Sequence, residues 1–253
     1  MQLPKILLPK FTTTIPSTGE LIKFRPFTNG EEKILLIANE SDDIADAFNA
    51  TKDLIDACYE NIDSNKLASY DIDFLFLQLI IQSVSNISEL YFRSMKCNKT
   101  DGECDKTIKL KINLEDITVQ QYDEDSEKYL AYKPQTHKNG GVSFSITDTL
   151  GIVIKHPGFE EQTKYAKLET QTESELIKLC IVSIYDDESV FTKNDFNQAE
   201  LDEFYASIPS KQLQELQKFI RNTPRVRYET EFVCKECGFR EPLKFEDFQS
   251  FFL

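Results

Sequence analysis

Arg225-Val226-Arg227-Tyr228-Glu229-Thr230-Glu231-Phe232-Val233 runs without interruption into Cys234-Lys235-Glu236-Cys237-Gly238. Val226, Tyr228, Thr230 and Phe232 alternate with Arg225, Arg227, Glu229 and Glu231, the period of two that marks a strand with one buried face. The cysteines stand where that strand should turn. Gly238 suits a tight knuckle in which backbone N–H groups point at thiolates, because glycine accepts a positive φ. Phe239 to Phe245 then reads as a returning strand.

A second cysteine pair lies upstream. Cys97 and Cys104 enclose Asn-Lys-Thr-Asp-Gly-Glu and lead into Ile108, Leu110, Ile112 and Leu114, which again alternate with polar residues. Two short cysteine loops on β segments are the usual frame of a structural Zn²⁺ site, with four thiolates at tetrahedral corners and no open position for chemistry. Cys97, Cys104, Cys234 and Cys237 are therefore the candidate metal ligands. The first loop, with six residues between its cysteines, is longer than the usual spacing. Buried thiols and a redox use are the alternatives at these four positions. His156 is an alternative ligand, against the plainer reading of a turn residue before Pro157-Gly158. Cys58 and Cys180 fall on apolar helix faces and read as small buried hydrophobes.

Outward from these motifs the order of elements is α+β, helices packed with small antiparallel sheets and a zinc-ribbon-like pair of cysteine knuckles. Phe11–Ile15 and Leu21–Phe27 flank Pro16-Ser17-Thr18-Gly19 and predict a hairpin. Glu31–Glu40 reads as helical, and Ser41-Asp42-Asp43 as the start of another helix. Tyr70–Phe92 reads as one long, largely buried helix. Residues 120–128 and 133–141 read as loops, and Val142–Ile146 and Leu150–Ile154 as strands. Phe159–Ile184 reads as mostly helical, and Gln198–Ser207 and Ser210–Arg221 as a helix pair, with Ser210 capping the second. The segments group as 1–95, 96–158, 159–224 and 225–253, or as one compact domain.

The 253 residues carry a net charge of −14, which opposes phosphate binding, and no Lys/Arg run exceeds two. With 19 Phe and 10 Tyr the chain has the apolar content of a packed core. Its longest apolar stretch, Phe74–Ile81, falls far short of the ~20 residues a membrane span needs. The N-terminal apolar run is too short for a signal peptide. No hydrolase elbow, Walker loop or dinucleotide fingerprint is present, and eight glycines leave little for phosphate-cradling loops. The reading is of a non-enzymatic protein with no small-molecule substrate, nucleic acid or membrane as partner. The Phe-rich end, Phe245, Phe248, Phe251, Phe252 and Leu253, either folds over the cysteine hairpin or docks on another protein.

Several segments resemble one family. Ile15-Pro16-Ser17-Thr18-Gly19-Glu20, Ile22-Lys23-Phe24-Arg25-Pro26-Phe27 and Glu31-Glu32-Lys33-Ile34-Leu35-Leu36 are similar to the N-terminal signature of the T-even-type bacteriophage baseplate hub protein family. Asp71-Ile72-Asp73-Phe74-Leu75-Phe76-Leu77 resembles its central helix, and the cysteine pairs and Phe251-Phe252 fit its later blocks. The family's first pair is the tighter Cys-x-x-Cys. The resemblance implies a protein of the contractile tail baseplate, made in the host cytoplasm, whose partners are other baseplate and tail subunits. It leaves two roles open, a component retained in the virion and a transient hub assembly factor. A zinc-ribbon nucleic-acid binder is opposed by the charge, and a metallohydrolase by four thiolates.

Overall fold

The computed structural model describes residues 6–33, 44–92, 98–99, 102–103, 107–124, 126–133 and 141–246. Strands β1 (Phe11–Thr14) and β2 (Leu21–Phe24) form the expected N-terminal hairpin, with Phe11 opposite Phe24. Its turn closes through Ile15 N–H to Glu20 O, 2.9 Å, and Gly19 N–H to Ile15 O, 2.8 Å, with Gly19 at φ 72°. Residues 29–33 are helical. The rest of the helix expected to Glu40, and the expected start at Ser41–Asp43, lie outside the described residues. Helix α1 (Ile44–Cys58) follows, then α2 (Ser69–Ser83). These elements enclose the first core, in which Phe24, Ile55, Ile72, Leu75 and Leu79 are fully buried. The Asp71 carboxylate fastens it, accepting from Ala68 N–H at 3.1 Å and from Ser17 N–H in the hairpin turn at 2.8 Å.

The long helix expected through Phe92 stops at Ser83. Val84-Ser85-Asn86 breaks it, and β3 (Ile87–Phe92) follows with Ile87, Glu89 and Tyr91 exposed and Ser88 and Leu90 buried. The Ser85 hydroxyl accepts from Ile87 N–H at 3.0 Å and donates to Ile87 O at 3.1 Å, so a side chain takes groups that a continued helix would have used. After a short pair, β4 (Asn98–Lys99) and β5 (Gly102–Glu103), β6 (Ile108–Asn113) returns antiparallel to β3.

Residues 120–128, expected as a loop, fall within a hairpin of β7 (Thr118–Asp123) and β8 (Lys128–Ala131). Its polar strands are held by a cross-strand Tyr122–Tyr129 ring pair at 5.2 Å, the kind of pair that stabilises a half-exposed sheet. Most of the loop expected at 133–141 lies outside the described residues. Strands β9 (Val142–Ser145) and β10 (Gly151–Ile154) follow, then α3 (Phe159–Ala166) and α4 (Glu173–Cys180). The second of these does not continue to Ile184. Ile181 opens β11 (Ile181–Tyr185), which pairs with β10, and β12 (Val190–Thr192) completes a sheet in the order β12-β11-β10-β9. Helices α5 (Gln198–Ser207) and α6 (Ser210–Arg221) lie where expected, but Pro209 rather than Ser210 is the N-cap of α6. With this sheet they enclose a core of Ile152, Ile154, Ile177, Cys180, Ile181 and Leu216.

Finally β13 (Arg225–Val233) and β14 (Arg240–Phe245) add to the β7–β8 hairpin in the order β14-β13-β7-β8. Leu77, Leu90, Ile112, Val226, Phe232 and Leu243 form the remaining core, against which α2 lies. The architecture is the expected α+β, helices among small antiparallel sheets.

The cores meet at His156-Pro157-Gly158. Ser69 N–H donates to Pro157 O at 3.1 Å, and Gly158 forms a bridge with Ala68. A methyl group at Gly158 would lie 2.4 Å from Leu67 O, a backbone atom with little freedom to retreat. Gly158→Ala should therefore lower stability by about 1–3 kcal/mol, read from urea midpoints, and an unchanged midpoint would show that the joint yields freely.

Candidate functional site

The second cysteine pair occupies the tip of the β13–β14 hairpin. The strands pair from Tyr228↔Phe245 to Val233↔Arg240, leaving Cys234–Phe239 as the connection. Cys234 N–H donates to Phe239 O at 2.9 Å, and Gly238 N–H donates to Cys234 O at 2.9 Å. Gly238 has φ 72°, the positive φ expected of it from the sequence. Cys234 is buried and Cys237 half-buried, both beside the core that contains Phe232.

Cys97 and Cys104 lie outside the described residues. Their chain neighbours Asn98 and Glu103 are register partners in β4–β5. The β3–β6 hairpin from which that loop springs ends at the Phe92↔Ile108 pair. The Phe92 ring sits 5.4 Å from the Phe232 ring, and Phe232 is two residues before Cys234. The packed ends of the two hairpins thus bring the approaches to both cysteine loops together. Among the described residues no group of three or more His, Cys, Asp or Glu side chains is arranged to hold a metal.

The other singled-out residues have separate surroundings. His156 is buried, its Nδ1 3.3 Å from Thr223 Oγ1, with its ring stacked on Phe219 at 4.1 Å and edge-on to Tyr70 at 5.7 Å. It sits in the connection between β10 and α3, as a turn residue would, but buried, and burial holds its pKa down to about 3. Cys58 and Cys180 are buried thiols, pushed up to about 11 and about 12 by burial, as befits small hydrophobes. Asp71, expected at the start of its helix, is also buried, and that burial pushes its carboxyl up to about 6 against the pull of its two N–H donors. Of the aromatic C-terminus, Phe245 is buried in the core beside β13 and the later residues lie outside the described residues.

One charged side chain in this region gave no signal in the alternation. Arg227 is buried, its guanidinium 3.6 Å over the Tyr129 ring and its Nε 3.0 Å from Glu246. It also pairs with Glu229 at 2.5 Å, which satisfies a charge that the sequence pattern placed on the solvent face.

No helix of the described residues is long and apolar enough to cross a membrane. Comparison with known proteins found no matching curated protein and no matching solved structure. The family model described as T4 bacteriophage base plate protein does match, and it does so over residues 8–253, spanning the hairpin turn, the Asp71 helix and both cysteine loops. A match of that extent makes the chain a member of the T4 bacteriophage base plate protein family, a structural component of the phage tail.

Proposed function

We propose that this chain is a non-enzymatic component of the hub region of a contractile-tail baseplate, that it acts by binding other baseplate and tail subunits, and that a structural Zn²⁺ on Cys97, Cys104, Cys234 and Cys237 stabilises it. The family match over nearly the whole chain carries the first part. The Phe92–Phe232 contact supports the third, since it sets the end of the β3–β6 hairpin, between whose strands the first pair lies in sequence, against the strand that leads into the second. Thiolates suit Zn²⁺, and four of them close its coordination, so the ion ties the middle of the chain to its end without offering a site to substrate.

Mass spectrometry of purified particles tests the role. A few copies per tail support a retained component. Abundance in the infected-cell lysate with absence from the particle would replace it with a transient assembly factor. Elemental analysis of the reduced, purified protein tests the metal. About one zinc per chain is expected, and Cys234→Ser should lose it and melt at lower temperature. Reduced protein that folds without zinc would sink the metal site.

A further inference from the structure

We infer that the outer edge of β3 is a docking strand for an extended, basic segment of another tail subunit, an inference that rests on reading the chain as a protein that acts by binding subunits. Among the described residues β3 and β6 form a two-stranded sheet, so β3 has an edge that pairs with nothing in that sheet. The bond from Leu114 N–H to Asn86 O, 2.8 Å, continues the β3–β6 register by one step. In an antiparallel ladder bonded pairs alternate, so Ser88, Leu90 and Phe92 exchange bonds with β6. Ile87, Glu89 and Tyr91 then direct their backbone N–H and C=O groups off the sheet. The Ser85 hydroxyl occupies those of Ile87, which leaves the Glu89–Tyr91 stretch as the template.

A groove of about 590 Å³ runs along this edge, lined by Ile80, Val84, Ile87, Leu90, Tyr91 and Leu114. Val84, Ile87 and Tyr91 are 62%, 47% and 73% exposed. Exposed apolar groups beside an open strand edge are the setting of strand addition, in which main-chain bonds give affinity and alternate side chains give choice. On an added strand, one set of side chains would enter the groove and the other would lie beside Glu89.

Charge selects the occupant. Glu89 is paired with Lys109 and Lys111 of β6, so the outer face already alternates basic and acidic from strand to strand. A Lys or Arg opposite Glu89 continues that alternation. A second copy of this chain pairing about Glu89 would set that carboxylate against itself, and each copy brings a charge of −14. The fitting partner is therefore a foreign strand with apolar residues on one face and a basic residue on the other.

The test uses the full chain with two synthetic peptides, acetyl-Thr-Val-Lys-Val-Thr-amide and its counterpart with Glu in place of Lys. The lysine peptide at millimolar concentration should slow amide exchange at Glu89 and Tyr91 at least tenfold, with little change at Ser88 and Leu90. The glutamate peptide should do so at least tenfold more weakly. Tyr91→Pro removes an outward N–H without touching the β6 ladder and should abolish the protection. Val84→Lys, at an exposed position, should weaken it if the proline variant is unfolded. No protection at Glu89 and Tyr91, equal protection by both peptides, or a dimer of the free chain that Tyr91→Pro dissociates would each overturn the inference. None of these results alters the expected presence of the chain in particles, so the two readings fail separately.

Discussion

Phe232→Ala should cost about 3–5 kcal/mol and lower the melting temperature by roughly 10 °C, among the largest losses expected from truncating a described residue. Phe232 is fully buried, and its ring lies against Phe92 of β3 at 5.4 Å and Phe239 at 6.4 Å. Removing it opens a void between two hairpins, each fixed by its own ladder, so the walls have little freedom to close. It also unseats the strand that carries Cys234, so the Zn²⁺ proposed there should be held less tightly. Urea unfolding with an unchanged slope is the measurement. A loss below about 1 kcal/mol would mean that the hairpins do not rest on each other here.

The second large effect is a concealed pH dependence. His156, held at about 3 when folded, contributes stability that is full above its unfolded pKa of ~6.5 and is lost as pH falls toward 3. Asp71 works in the opposite sense. Its folded pKa of about 6 exceeds the unfolded ~3.9, so its contribution is full at low pH and is lost as pH rises through 6. Each slope is about 1.4 kcal/mol per pH unit, and between pH 6 and 4 they nearly cancel. His156→Phe, which keeps the stack on Phe219, should leave Asp71 unopposed, so stability rises on acidification by about 2–3 kcal/mol relative to the parent. Asp71→Asn should fall by a similar amount over the same range, besides being weaker at neutral pH. Glu31, whose carboxylate Arg25 holds down to about 2, adds an acid loss common to all three proteins. Urea midpoints at pH 6, 5 and 4 decide the matter, and parallel profiles for parent and variants would refute it.

The parts of the fold legible in the sequence were those with one consistent period. Arg225–Val233 alternates cleanly and is a strand over that span, and the turn residues Pro16–Gly19 placed the first hairpin. Misreadings fell where two periods coincide. Ser88 and Phe92 continue the spacing of α2 as well as alternating, and Ile181 and Ile184 extend the stripe begun by Ile177 and Cys180. In each case pairing with a strand remote in sequence decided the outcome, β6 for one and β10 for the other. Residues 120–128 carry little apolar signal, and their hairpin depends on ring contacts and on Arg227 lying over Tyr129. The turn at Cys234–Gly238, with its positive-φ glycine, was legible because it is local. The approach of β3 to β13 was not, because it joins residues more than a hundred positions apart.

That long-range closure has a consequence for synthesis. A ribosome delivers Leu77, Leu90 and Ile112 well before Val226, Phe232 and Leu243, the residues that complete the same core. Until the last strands emerge, the earlier hairpin has only α2 behind it and is exposed to premature pairing with other nascent chains. Completion of translation is thus coupled to burial of the inner face of β3, and a chain cut short before β13 should be a substrate for proteolysis rather than a competitor for assembly.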